Sequence, residues 1–394
     1  MNTVAPKAMR DFGLEVFFSQ WEFTAKHHMS ASDMESLSIK ELLSMASAED
    51  KHNFEELSLG YTETWGAPNL RTEIARTYET MKADNILCFA GAGEGLYAIA
   101  KVLLTKEDHV VVPTPNYQSA ETVPLSVCEV TGVCMDYTSG SSAAAGWSID
   151  VEKLKHATKS NTKLISLNFP HNPTGIVMDH ESMAELISFC RKRGIYILVD
   201  EVYRGAEITA SNTKVQIADM YERGISLNVM SKAYGLPGLR IGWMATTDYE
   251  LLGRVEKYKH YLSICNSGPS EALALVALKA SDQILNRNRK LINENAELFE
   301  SLLSDYPGLV EWQRPQGGCV AYPKFTGPGT SETFCRQLIE ESGVLLLPSS
   351  TYVSDLTSTP TDHFRIGIGR DAVFKDGLAA MREHFEKYYT DFHN

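Results

Sequence analysis

Long apolar runs are absent from this 394-residue chain: no stretch approaches the roughly 20 apolar residues that a membrane-spanning helix needs. The opening residues, MNTVAPKAMRDFGLEVFF, carry basic residues with no apolar core behind them, so no secretory signal peptide is expected. Cysteine is sparse and scattered. Cys88, Cys128, Cys134, Cys190, Cys265, Cys319 and Cys335 form no CxxC, and their number is odd. That excludes a disulfide framework and reads as reduced, mostly buried thiols of a cytoplasmic protein. Positive charge is also in deficit. A net charge of −13, with no block of one sign, argues against nucleic acid or an anionic membrane as partner. Internal repeats are missing as well.

The composition that remains, 43% hydrophobic and 22% charged, is that of a globular chain long enough for one large and one smaller domain. The first ~50 residues read as polar and helical, with SASDMESLSIKELLSMA supplying Ser and Asp caps ahead of helically spaced leucines. From about residue 85 short apolar runs take over: NILCFAG, HVVVPTP, CEVTGVCM, TKLISLNFP, GIYILVDE, ISLNVMSKA and RIGWMAT. Amphipathic segments such as GEGLYAIAKVLL and HESMAELISFCRKRG lie between them. Strands alternating with helices predict an α/β fold built on a mostly parallel sheet covered on both faces. A long helical stretch after residue 271 and a mixed tail predict a smaller C-terminal α/β domain. The expected division is an N-terminal segment, 1–50, packing with the small domain, a large domain, 51–275, and the small domain, 276–394. Residues 138–148, TSGSSAAAGWS, read as an exposed low-complexity loop.

An open parallel sheet gathers its functional residues at the carboxyl ends of its strands. Four motifs occupy such ends. In CFAGAGEGLYAIA a strand runs through Gly91-Ala92-Gly93 into a helix, whose free N–H groups suit an anion. The spacing differs from the GxGxxG of dinucleotide-binding folds, and a plain tight turn would look the same. In SLNFPHNPTG prolines fix a turn that presents Asn172. In GIYILVDEVYRG Asp200 closes an apolar strand, where a carboxylate needs a cationic or proton-donating partner; Tyr203 follows. In NVMSKAYGLPGLRIGWM a strand delivers Ser231 and Lys232, with Arg240 beyond. Any one of these charges suits a solvated surface. Together they offer an anion pocket, an acid for a ring nitrogen, a phenol and a lysine, the set that pyridoxal 5'-phosphate requires.

On these motifs, from about residue 57 to 369, the chain resembles the fold-type-I pyridoxal-phosphate enzymes of the class I/II aminotransferase family. The resemblance implies that Lys232 bonds the cofactor aldehyde and Asp200 pairs with the pyridine nitrogen. It implies that Tyr203 and Asn172 meet the ring oxygen, and that Ala92, Gly93, Ser231 and Arg240 hold the phosphate. Tyr117, in PTPNYQS, would stack on the ring, and Tyr61, in LGYTETWGAPNLR, would reach the phosphate of the neighbouring subunit in a homodimer with shared sites. Arg365, in HFRIGIG, would grip the substrate carboxylate, as its fork of donors suits it to do. The substrate class so implied is a free L-amino acid.

Within that family SLNFPHNPTG, SKAYGLPGLRIGW, GGCVAYPKFTG and LEVFFSQWEFTAKHHMSASD are similar to the capreomycidine synthase group, which cyclises a hydroxylated arginine by β-elimination and re-addition of the guanidine. A cationic side chain would need an acid, for which Glu15 is the candidate; a helix-surface glutamate is the plainer reading. Two residues depart from the patterns. DEVY is the ordinary aminotransferase form, where the synthase group has Phe at position 203, and Ser349 stands where aminotransferases usually carry Gly. The other readings are an ordinary aminotransferase using a 2-oxo acid acceptor, a ligand-sensing regulator on the same fold, and an acyl-transferring synthase. A short acidic N-terminus disfavours the regulator, which would carry a basic DNA-binding domain. Tyr117 and Tyr203 disfavour the synthase, whose family has His stacked on the ring.

Overall fold

A computed structural model describes residues 3–140, 145–208 and 216–393. Its centre is an eight-stranded sheet in the order Thr3–Val4, Glu129–Cys134, His109–Thr114, Thr162–Asn168, Tyr196–Asp200, Gly224–Val229, Gly242–Ala245, Ile86–Phe89. Five of the strands, from Glu129–Cys134 to Gly224–Val229 in that order, run parallel to one another. Gly242–Ala245 is reversed and pairs antiparallel with both its neighbours, and Thr3–Val4 pairs antiparallel at the other edge. The central strands are buried throughout, so they read as continuous Val/Ile/Leu runs with no alternation. Each apolar run named above forms the strand expected of it.

Helices cover both faces. Ala92–Leu103 packs Leu96, Ile99 and Leu103 on one face with Phe89, Val110 and Leu227. His180–Arg193 packs Met183, Leu186 and Ile187 on the other with Ile165 and Ile197. Its last turn is basic and it ends at Gly194 with φ +67, a left-handed stop that glycine adopts without strain.

The stretch after residue 271 is two helices, Gly268–Lys279 and Ser281–Ser304, with Ala280 leaving helical geometry between them. Beyond them the helices Ser331–Gln337 and Ala372–Tyr388 pack with Phe299, Phe364 and Phe385 in one core. The same core takes in Val202, Tyr203 and Val229, so the C-terminal body sits over the strand ends of the sheet.

The N-terminal residues serve both bodies. Thr3–Val4 extends the large sheet, and His27–His28 pairs parallel with Val344–Leu345 in the C-terminal body. The expected Ser cap is Ser38: it caps the helix Ile39–Ser44, and its side chain and that of Glu41 satisfy each other's backbone N–H groups. Ser32 and Asp33, in the same stretch, cap none of the described helices and instead meet Lys232 and Arg370. The low-complexity segment is also not simply a loop. Residues 141–144 fall outside the described residues, but Gly146–Ser148 pairs antiparallel with Asp136–Thr138. The reason is Trp147, which packs against Tyr137, Tyr322 and His363 with ring centroids 5.1–5.8 Å away.

Gly242 ties the reversed strand to the first turn of the helix Ala92–Leu103. A Cβ there would lie 2.7 Å from Ala92 N and 2.8 Å from Gly91 C, backbone atoms that have nowhere to go. Gly242→Ala is expected to cost about 1–3 kcal/mol by overpacking and to lower the melting temperature. An unchanged melting temperature would show that the strand-to-helix contact is looser than described.

Candidate active site

The carboxyl ends of five strands and the start of the reversed one meet at a single cavity of about 430 Å³. Ala92 and Gly93 enter it from the end of Ile86–Phe89, Tyr117 from His109–Thr114, and Asn172 from Thr162–Asn168. Asp200 and Tyr203 come from Tyr196–Asp200, and Ser231 and Lys232 from Gly224–Val229. Arg240 precedes the reversed strand and lines the same space.

Burial pulls the amine and the acid in opposite directions. Desolvation raises the Asp200 carboxyl to about 6, opposed by the Val202 N–H, 3.2 Å from Oδ1, and by the charge of Lys232. The Lys232 amine is lowered by burial, opposed by Asp33 and Asp200 and reinforced by Arg365. Its Nζ donates to Ser32 Oγ at 2.9 Å. Tyr203 is 2% exposed and its hydroxyl has no hydrogen bond of ordinary geometry. Burial raises it well above 10, with Ser32 close enough to lower it slightly.

The anion end is made of backbone and two side chains. The helix Ala92–Leu103 starts at Gly91, φ +98, with no side-chain cap, so its first N–H groups are free. A Cβ on Gly91 would lie 2.6 Å from Arg240 Nη2, so only glycine lets the guanidinium close over this turn. Arg240 Nη1 is 3.5 Å from Ser231 Oγ.

Two expected residues stand apart from the cavity, Arg365 and Tyr61, while Tyr117 lines it and is held by the N-terminal segment. Arg365 is fully buried and lies behind the cavity wall. It donates to Tyr352 Oη at 2.6 Å, Ser30 O at 2.6 Å and Asn172 Oδ1 at 3.3 Å, and its Nε has no partner among the described residues. Tyr61 is 91% exposed and does not line the cavity of its own chain. Tyr117 packs its ring on Phe12, centroids 4.9 Å apart, and its hydroxyl donates to Glu15 Oε1 at 3.4 Å.

Several cavity residues carried no functional assignment in the sequence reading. Ser32 and Asp33 come from the extended segment after His28, and Arg370 Nη2 holds the Asp33 carboxylate at 3.0 and 3.1 Å. Glu22 stands at the end of the helix Gly13–Trp21, raised by burial and by Glu15 beside it. His28 is lowered to about 4 by burial and by Arg370 and Arg365, so it is neutral at pH 7. Asn168 Oδ1 accepts from the Asn172 N–H at 2.8 Å, which sets the turn. Asn168 lay inside SLNFPHNPTG, and Glu22, His28, Ser32 and Asp33 inside LEVFFSQWEFTAKHHMSASD, with no role given to any of them.

The profile of the aminotransferase class I and II family matches residues 26–380. The chain belongs to that family. It is similar over 96% of its length to capreomycidine synthase of Streptomyces vinaceus, at 25% identity and 94% of that protein. It is 26% identical to an aspartate aminotransferase of Pyrococcus horikoshii over 74% of this chain and 75% of that one. Among solved structures, a PLP-dependent aminotransferase of Streptococcus suis superposes with a TM-score of 0.88 at 28% identity, covering 97% of this chain and 99% of that one. The PLP-dependent cyclase OrfR shares the fold, with a TM-score of 0.84 at 23% identity over 97% and 98% of the two chains.

The cofactor of this aminotransferase-family enzyme is pyridoxal 5'-phosphate. The cavity's donor set fits it: a capless helix N-terminus with Arg240 and Ser231 for a phosphate, a buried carboxyl whose proton a ring nitrogen could share, an unsatisfied buried phenol, and a desolvated amine.

The raised Asp200 has a consequence for the cofactor-free chain. Folded Asp200 keeps its proton up to about pH 6, while the unfolded chain loses it near the ordinary value of 3.8. Between those values the folded state binds more protons, so this group's contribution to stability falls as pH rises and stays lost above the window. Cofactor-free Asp200→Asn is therefore expected to lose less stability than wild type between about pH 4 and 6. Denaturant unfolding across that range measures it; equal slopes would contradict the assignment.

Proposed function

We propose that this enzyme acts on a free L-amino acid with a cationic side chain, and that it cyclises a hydroxylated arginine with net loss of water. The observation that carries the reading is the presence of Glu15 and Glu22 in the cavity that also holds Lys232 and Asp200. Two carboxylates from the N-terminal segment offer a guanidinium the planar acceptors it pairs with best. The similarity to capreomycidine synthase along nearly the whole chain supports the same reading.

Each residue then has a task. Ala92 and Gly93 N–H groups, Ser231 and Arg240 bind the cofactor phosphate, and Tyr117 covers its ring. Asp200 keeps a proton at the ring nitrogen, and Tyr203 and Asn172 hold the ring oxygen. When bound, the cofactor would supply an aldehyde for the substrate nitrogen and an electron sink for a bond broken at Cα. Lys232, desolvated and so readily neutral, takes the Cα proton. Arg365 supplies positive charge for the substrate carboxylate, which would exchange places with its present partners Tyr352 and the Ser30 carbonyl. Closure of the C-terminal body over the strand ends excludes water. We further propose a cytoplasmic homodimer in which Tyr61 completes the partner's phosphate site. The exposure of Tyr61 beside Leu59, 84% exposed, supports this.

A second reading, transamination with a 2-oxo acid, is supported by Tyr203 in DEVY and by the similarity to aminotransferases, and Arg370, which lines the cavity, could exchange Asp33 for an acidic acceptor. The holoenzyme incubated with amino acids including hydroxylated arginines, with and without 2-oxoglutarate, separates the two by mass spectrometry. A product lighter by one water, formed without the keto acid, is expected. A product that appears only with 2-oxoglutarate would establish transamination instead. In the same assay Glu15→Gln is expected to raise KM for the cationic substrate about tenfold, the loss of one charged hydrogen bond, with kcat little changed. Lys232→Ala should bind the cofactor without covalent attachment, and attachment that survives this change would defeat the site.

A further inference from the structure

Ser32 is the one side chain among the described residues to which Lys232 Nζ donates a hydrogen bond, at 2.9 Å and from 200 positions away. It has been brought there by close backbone packing. Residues 29–35 run alongside the segment 365–369: Gly367 N–H donates to Met29 O at 2.7 Å, Glu35 N–H to Gly369 O at 2.7 Å, and Arg365 to Ser30 O at 2.6 Å. A Cβ on Gly367 would lie 2.0 Å from Ala31 O, so glycine is required for this approach. Arg370 fixes the next residue, Asp33, through both carboxylate oxygens. The Ser32 hydroxyl is thereby anchored on both sides and lines the cavity. On its other side is Tyr203, whose buried hydroxyl has no better partner.

We propose that Ser32 is a catalytic residue: its hydroxyl receives the Lys232 amine whenever that amine is free, and holds it in the cavity for proton transfer. This rests on Lys232 being the amine that acts. When the substrate Cα–H bond breaks, an N–H bond forms at Lys232 and the bonding pair stays with the substrate. The positive charge that appears on Nζ is met by the Ser32 oxygen, while Ser32 keeps its own proton and directs it toward Tyr203. In a desolvated cavity an ammonium without such an acceptor is costly. Ser32 thus restrains a flexible four-carbon side chain at the point where its charge appears.

The test uses full-length protein and variants that lack the hydroxyl, Ser32→Ala and Ser32→Gly, or keep it, Ser32→Thr. In cofactor-free protein, competitive acetylation of Lys232 across pH, read by mass spectrometry, reports the amine directly. Loss of an acceptor for the charged form is expected to lower the labelling midpoint by about one pH unit in Ser32→Ala and Ser32→Gly. Ser32→Thr should match wild type. In the holoenzyme, deuterium exchange at Cα of L-arginine or L-alanine in D2O, whichever wild type exchanges faster, should fall about tenfold or more. KM should move less than twofold, and Ser32→Thr should restore the rate. Melting temperatures close to wild type in either hydroxyl-free variant exclude a folding defect. An unchanged midpoint, or exchange within twofold of wild type, would overturn the role of Ser32. Covalent cofactor attachment retained in Lys232→Ala would instead overturn the reading beneath it.

Discussion

Lys232 and Asp200 face one desolvated cavity, and burial favours the neutral form of each. An amine that loses its proton readily is a nucleophile and a base. A carboxyl that keeps its proton readily can share it with a basic ring nitrogen. Neither property belongs to the residue types; both come from the depth at which the strands Tyr196–Asp200 and Gly224–Val229 deliver them. These strands are parallel neighbours, with Leu227 paired to Asp200, so the two groups emerge on the same edge a few residues apart. Arg365, behind the wall, adds positive charge that lowers Lys232 further and restrains Tyr203 from rising more.

The remaining architecture places polar groups around that cavity. The reversed strand Gly242–Ala245 brings Arg240 to the helix start at Gly91, where no side chain could fit between them. The C-terminal body covers the strand ends. The N-terminal segment crosses from one body to the other, contributing Glu15 and Glu22 at the mouth and Ser32 and Asp33 inside.

Much of this was readable in the chain. Strand-end motifs are local: an apolar run, a turn and a reactive residue occur within ten positions, and the fold class follows from their alternation. Asp200, Tyr203, Asn172, Ser231 and Lys232 were legible for that reason, and they do line one cavity. Ser32, Asp33 and Arg370 were not, because their placement depends on main-chain packing between residues 29–35 and 365–369, which leaves no local pattern. Within SASDMESLSIKELLSMA the sequence offers several Ser and Asp as caps, and only the fold singles out Ser38 for that work. Arg365 was named through family resemblance alone, and its retreat behind Asn172 and Tyr352, within the strand Phe364–Gly367, left no sequence signal. Trp147 packs on the ring of its strand partner Tyr137 and on two rings distant in the chain, Tyr322 and His363, where the sequence suggested only a featureless loop.

The central claim is that Lys232 is the amine held in this cavity for the cofactor. Reduction of the holoenzyme with borohydride, followed by peptide mapping, tests it most directly. The account predicts a pyridoxyl group on the peptide containing Lys232 and on no other lysine. A pyridoxyl group on any other lysine, or none after reduction of a coloured holoenzyme, would contradict it.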